Sequence, residues 1–215
     1  MLTPDMTPRS ENRRDDRHPD YARLAAGTHD DPFAVLGPHL RDGQPTVTVH
    51  LPQAERMEAI VGDGDSATGH DLPPVAGHAG LFSGPVPAAD RYLLRATDPA
   101  GSTWEFEDAY RFGPVLGSVD EHLIGEGTHL GLWHVLGAHV MTHEGVTGTH
   151  FAVWAPDARR VSVVGAFDGW DGRRLVLRRR GAAGVWEIFV PGIGEGEAYK
   201  YEIVGADGAL QPLKA

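Results

Sequence analysis

Apolar and polar residues alternate with a period of two in short runs along most of this chain, and Gly, Pro and Asp break the runs apart. "TVTVHL", "MEAIV", "GLFSGPV" and "RYLLRAT" form one series; "THFAVWA", "RVSVVGAF", "RLVLRRR", "GVWEIFV" and "AYKYEIV" form a second. Alternation sends successive side chains to opposite faces of an extended strand, so each run reads as a strand with one buried face. Strands of this length between turn signals predict an all-β chain, built as two tandem Ig-like antiparallel β-sandwich domains. Met57, Phe82 and Leu94 fall in the expected core of the first domain, and Trp154 and Trp186 in that of the second. Short helical turns are expected in the tail and linker, at "PDYARLAA" and "DDPFAVLG". In the latter, Asp31 is placed to cap, Pro32 to take the first helical position and Gly37 to end the turn.

The two series are copies of one another. "VLGPH" at Val35 to His39 returns as "VLGAH" at Val135 to His139. "LPQAERMEAIV" from Leu51 lies on "APDARRVSVVG" from Ala155, with Pro52 opposite Pro156 and Ala54 opposite Ala158, an offset of 104 residues. At the same offset "GLFSGPVP" from Gly80 lies on "GVWEIFVP" from Gly184, which puts Phe82 against Trp186. Collinear matches at nearly one offset indicate a duplication. The repeated "VLGxH" marks the same entrance to each sandwich, where Gly37 and Gly137 allow a tight turn and His39 and His139 hydrogen-bond the loop. The division that follows is a disordered tail over residues 1–18, a first sandwich over 19–115, a linker over 116–145 and a second sandwich over 146–215.

Composition narrows the function. Of 215 residues 41% are apolar and 23% charged, which is ordinary globular material. Nineteen Lys and Arg against thirty Asp and Glu leave a formal net charge of −11, so nucleic acid and anionic membranes are poor partners. The absence of cysteine excludes disulfide scaffolds and thiolate metal sites and fits a reducing, cytoplasmic setting. The N-terminal twenty residues mix Arg with Asp and Glu and hold no apolar core of a signal peptide. No apolar run approaches the ~18 residues of a membrane span.

The residues offer little catalytic chemistry. "GEGTHLG" from Gly125 lacks the spacing of a dinucleotide loop, and turn chemistry explains its glycines. His139 and His143 are four apart beside Glu144, a spacing that serves a metal only on a helix, whereas this segment leads into a strand. His29, Asp30 and Asp31 read as a capped turn, and the carboxylates are scattered, so no catalytic residue, metal or cofactor is assigned. Trp170 stands apart, because "GAFDGWDG" is a Gly- and Asp-rich turn in which a large aromatic presents a flat face of the kind that suits a sugar ring.

From "GVTGTHFAVWAPDARRVSVVGAFDGW" through "GVWEIFVPGI" and "YKYEI" the chain resembles carbohydrate-binding module family 48. With "DPFAVLGPH" and "YRFGPVLGSVDEHLIGEGTHLGLWHVLGAH" upstream, it resembles the N-terminal half of the bacterial glycogen branching enzymes from about Pro19 to Ala215. The resemblance implies an accessory, glucan-positioning region of an enzyme that moves α-1,4-glucan segments to α-1,6 positions. It also implies a fragment that ends before the catalytic barrel, inactive alone, with α-glucan (glycogen, maltooligosaccharides) and that barrel as its partners. Carried over by motif, Trp170 and Lys200 are the glucan-binding residues. The second aromatic usual after the last strand is missing, since that turn holds Ala209 and Leu210, and Asp168 replaces the common Asn. The alternatives are a stand-alone glucan-binding adaptor, a purely structural tandem unit, or the N-terminal region of a trehalohydrolase or debranching enzyme.

Overall fold

The computed structural model describes residues 18–88 and 90–214, so the tail expected over residues 1–18 lies, except for His18, outside the described residues. The first half runs α1 (Tyr21–Ala25), a 3-10 turn at Pro32–Ala34, β1 (Gly37–Arg41), β2 (Gln44–His50), β3 (Arg56–Val61), β4 (Thr68–Leu72), β5 (Leu81–Pro85), β6 (Tyr92–Thr97) and β7 (Thr103–Glu107). The second runs α2 (Ser118–Glu126), a 3-10 turn at Leu132–His134, β8 (Gly137–His143), β9 (Val146–Trp154), β10 (Arg160–Gly165), β11 (Arg178–Arg180), β12 (Val185–Pro191) and β13 (Tyr199–Val204). The strands pair antiparallel throughout, as β1-β2-β5 facing β4-β3-β6-β7, and as β11-β12-β9-β8 facing β10-β13. The chain is all-β with sandwich cores, as the alternation predicts. Met57, Phe82 and Leu94 are buried in the first core, and Trp186 with Phe151, Val163 and Tyr201 in the second.

The duplication reaches further back than the alternating runs show. Before each sandwich a short helix ends at a positive-φ glycine, Gly27 at 66° and Gly127 at 72°. His29 Nε2 then lies 3.4 Å from Asp20, and His129 Nε2 lies 3.1 Å from Asp120. The other ring nitrogen accepts a backbone N–H two residues on, from Asp31 in one case and Gly131 in the other, both at 3.1 Å. His39 Nε2 meets the Leu36 carbonyl and His139 Nε2 the Leu136 carbonyl, each at 3.0 Å. Residues 116–136 are therefore the second copy's own lead-in, and Gly137–His143, inside the stretch read from sequence as linker, is already an edge strand of the second sandwich. In each copy the lead-in packs on the outer face of a sheet: Leu24, Val35 and Leu36 on Leu81, and Leu116, Ile124 and Leu136 on Val185 and Ala152.

Two details correct the sequence reading. Asp31 makes no side-chain cap at the Pro32–Ala34 turn; its own N–H is instead held by His29. Trp154 is not core but 59% exposed, its Nε1 donating to the Ala183 carbonyl at 3.0 Å. In β9 the core-facing phase is Phe151 and Val153, and Trp154 follows His150 and Ala152 on the other face.

The two sandwiches share a packed junction. Phe33 and Ala109 of the first half pack into the second core, and the Arg178 guanidinium stacks 3.7 Å over the Phe33 ring. Arg160 donates to the Gly27 carbonyl and pairs with Glu202. Tyr110 Oη donates to the Arg174 carbonyl at 3.0 Å and accepts the Val176 N–H at 3.1 Å. Residues 175–177 lie along β10, since Val163 N–H reaches the Leu175 carbonyl and Leu177 N–H the Val161 carbonyl. The Tyr110 hydroxyl thus satisfies the backbone on the open side of that segment.

Candidate functional site

The Trp170 turn grows out of the end of β10. After Gly165 the chain makes one 3-10 turn at Ala166–Asp168, then passes through two left-handed residues, Gly169 at φ 70° and Trp170 at φ 61°. A left-handed conformation costs a non-Gly residue ~1–2 kcal/mol, and for a bulky one it is a true outlier. The surroundings hold it there. Asp168, 2% exposed, accepts the N–H of Gly165 and of Trp170 on one oxygen, Oδ1, at 2.9 Å each. Trp170 N–H also reaches the Gly165 carbonyl at 2.9 Å, and Arg174 donates to the Asp168 carbonyl at 2.8 Å. Beyond the turn Asp171 and Arg173 pair at 2.6 Å, which holds the Asp171 carboxyl below its ordinary range. Asp168 therefore supplies the oxygen acceptor that this turn requires. Burial pushes that carboxyl's pKa up, while the two N–H donors pull it down.

The outcome is a Trp ring 47% exposed on a rigid turn. Lys200, also exposed, sits on β13 opposite Val164, one residue pair from Gly165 and Tyr199. Trp170 and Lys200 thus both lie toward the end of the β10–β13 ribbon at which Gly165 pairs with Tyr199. An aromatic face beside an ammonium can stack an apolar ring face and donate to its hydroxyls. Where a second platform would stand, the backbone turns at Gly205–Ala209 and presents Leu210, 61% exposed and flexible where an aromatic is flat. His139 and His143, offered by spacing, engage two separate carbonyls, Leu136 and Gly113.

Sequence reasoning missed two exposed aromatics, Trp154 and Trp133, the latter 69% exposed on the Leu132–His134 turn. The duplication explains both. Trp133 is the counterpart of Phe33, and Trp154 of His50, at the offsets of 100 and 104 that frame the hairpin. Phe33 and His50 are covered at the junction with the second sandwich, and the matching positions of the second copy are open. The signal was present in the phase of "FAVW", where Trp154 falls opposite Phe151 and Val153.

Fold and turn together define a tandem antiparallel β-sandwich unit with an exposed tryptophan turn on its second sandwich. Residues 135–214 match the family described as Carbohydrate-binding module 48 (Isoamylase N-terminal domain), and residues 17–110 match the alpha-1,4-glucan branching enzyme GlgB, N-terminal domain. Over nearly all of its length the chain is similar to the N-terminal region of 1,4-alpha-glucan branching enzymes. It is 56% identical over 201 residues to 1,4-alpha-glucan branching enzyme GlgB of Roseobacter denitrificans, covering 91% of this chain and 27% of that protein. To the GlgB of Paramagnetospirillum magneticum it is 49% identical over 199 residues, covering 93% of this chain and 26% of that protein. The chain thus spans about a quarter of the length of the relatives it matches. A solved pullulanase type I from Bacillus subtilis, complexed with maltose, overlaps 81% of this chain and 24% of its own at 19% identity and a TM-score of 0.30.

Proposed function

We propose that this chain is the accessory, glucan-positioning region of a glycogen branching enzyme, which transfers α-1,4-glucan segments to α-1,6 positions. The observation that carries the reading is Trp170, held by the Asp168 carboxylate in a costly left-handed conformation that turns its ring to solvent. Strain maintained at an exposed aromatic is most simply explained by a ligand. On this reading Trp170 stacks on a glucose face and Lys200 donates to a ring hydroxyl, the partner being glycogen or a maltooligosaccharide. The setting is cytoplasmic, and among the described residues no helix is long and apolar enough to cross a membrane. Catalysis belongs to the remainder of the polypeptide. The test is affinity electrophoresis in gels with and without glycogen. The wild-type chain is expected to be retarded, and Trp170→Ala and Lys200→Ala to run nearer their glycogen-free mobility. Retardation that neither substitution reduces sinks the assignment of those residues.

A scaffolding role toward the catalytic barrel has an observation of its own. The face that in the first copy receives the second sandwich carries Trp133 and Trp154 uncovered in the second copy. Where exposed aromatics form one contiguous patch they mark an interaction surface. The two roles are compatible, because Trp170 lies on the other sheet, beyond β10.

A further inference from the structure

The first sandwich has no display turn of its own. Its loop after β3, in the place where β10 leads into the Trp170 turn, reads "GDGDSA" over residues 62–67, with a 3-10 turn at Gly64–Ser66 and no aromatic. Its contribution falls instead on residues 171–177, which carry the chain away from Trp170. That segment is fastened along one side to β10. Ser162 Oγ donates to the Gly172 carbonyl at 2.6 Å, Val163 N–H to the Leu175 carbonyl at 3.0 Å and Leu177 N–H to the Val161 carbonyl at 2.8 Å. Between these contacts, the Arg174 carbonyl and the Val176 N–H are both taken by the Tyr110 hydroxyl of the first half, which donates to the former and accepts from the latter.

Arg174 is where this fastening meets the turn. Its backbone is gripped by Tyr110, while its Nη1 donates to the Asp168 carbonyl at 2.8 Å, the one hydrogen bond its guanidinium makes among the described residues. Burial lowers the pKa of that half-buried guanidinium, against the charges of Asp168 and Asp171. A cation drawn out of water to hold one backbone carbonyl is a costly device, as is the left-handed Trp170 that the same turn maintains. Asp168 in turn binds the N–H of Gly165 and of Trp170 through Oδ1. In every link a side chain grips the backbone of the next residue: Tyr110 on Arg174, Arg174 on Asp168, Asp168 on Trp170. Loosening one link therefore loosens the placement of those after it.

We propose that the first sandwich is the positioning unit of the glucan surface, with Tyr110 acting through Arg174 and Asp168 to hold Trp170 in its left-handed, outward conformation. Tyr110 itself is a positioning residue and touches no glucan. Affinity at Trp170 is thereby coupled to a side chain of the other sandwich. The glucan part of this proposal rests on the glucan reading of the Trp170 surface, and the positioning part on the hydrogen bonds alone.

Tyr110→Phe deletes only the hydroxyl. In glycogen-containing gels the variant is expected to bind more weakly than the wild type by about fivefold or more. A role confined to general stability would not single out the turn, so amide hydrogen exchange supplies the second readout. The Trp170 and Gly165 amides are expected to exchange about tenfold faster in the variant, while amides of the β9–β12 ladder keep their wild-type rates. Arg174→Met keeps the buried stem and removes the donor to Asp168. It is expected to reproduce both effects, Arg174→Lys to restore them in part, and the Tyr110→Phe, Arg174→Met double variant to bind no worse than the weaker single one. Losses that simply add would mean two independent supports and overturn the proposal. Exchange that rises equally in the ladder overturns it too, as does glycogen affinity unchanged in both single variants. A wild-type chain that glycogen does not retard sinks the glucan reading instead, and the Trp170 exchange rates then decide the positioning alone.

Discussion

Trp170 brings stability and display into conflict within one residue. Its φ of 61° belongs to glycine, and the three hydrogen bonds around Asp168 and Gly165 keep a bulky side chain there. Replacing it by Ala removes the ring and keeps the strain, whereas Gly removes both. Trp170→Gly is therefore expected to exceed Trp170→Ala in unfolding free energy by about 1 kcal/mol, with both equally unable to be retarded by glycogen. Urea denaturation of the two variants checks this, and equal stabilities would show that the turn relaxes once the ring is gone.

At the scale of the element, the two copies repeat their contacts as well as their strands. A Cβ on Gly80, at φ 75°, would lie 2.5 Å from Pro52 Cα, and one on Gly184, also at φ 75°, would lie 2.6 Å from Pro156 Cα. Both obstacles are backbone, which yields poorly, so Gly80→Ala and Gly184→Ala are each expected to destabilise the chain by more than ~1 kcal/mol. The check is a pair of chemical denaturation curves; a neutral Gly184→Ala would mean that the "AP" and "GV" segments separate easily. These Pro–Gly pairs were legible in the sequence because they sit at one offset on either side of strands with clear alternation. The lead-in was not, because its offset is 100 rather than 104. The structure shows where the four residues went: β8 and β9 are each two residues longer than β1 and β2, around equivalent turns at Asp42–Gly43 and Glu144–Gly145. A hairpin lengthened in equal steps keeps its register and faces, so the fold absorbs the change while the alignment slips. The Asp31 cap failed for a different reason: the Ala34 N–H that a capping side chain would take goes to the Asp31 carbonyl, and the Asp31 N–H is held by His29.

At the scale of the whole molecule, His50 gives the junction a pH dependence. Burial lowers the pKa of His50 from its ordinary 6.5, and the Arg173 and Arg174 charges push in the same direction, against a favourable backbone contact with Arg173 and the charge of Asp171. A base with a lowered folded pKa contributes stability that is complete above 6.5 and is lost as pH falls through the lowered value. Glu187, held low by His150 and by the Leu116 N–H against its own burial, adds a loss of the same sign further into acid. Thermal unfolding followed from about pH 7 down to about pH 5 is expected to show a falling midpoint that flattens in His50→Gln. A slope identical in that variant would locate the acid sensitivity elsewhere. The junction as a whole lay beyond sequence reasoning, since Phe33, Tyr110 and Arg178 are distant in the chain and no local pattern marks them as neighbours.

Tyr110 gives that junction a role in keeping the protein dispersed. Its hydroxyl closes the open side of the backbone at Arg174 and Val176, the hydrogen-bonding rim on which a strand from another molecule would add. Cut away from the first sandwich, the second would present that rim bare. A free-standing second half would then be prone to edge-to-edge self-association, so the first copy acts as a built-in solubility guard for the one that displays the Trp170 turn.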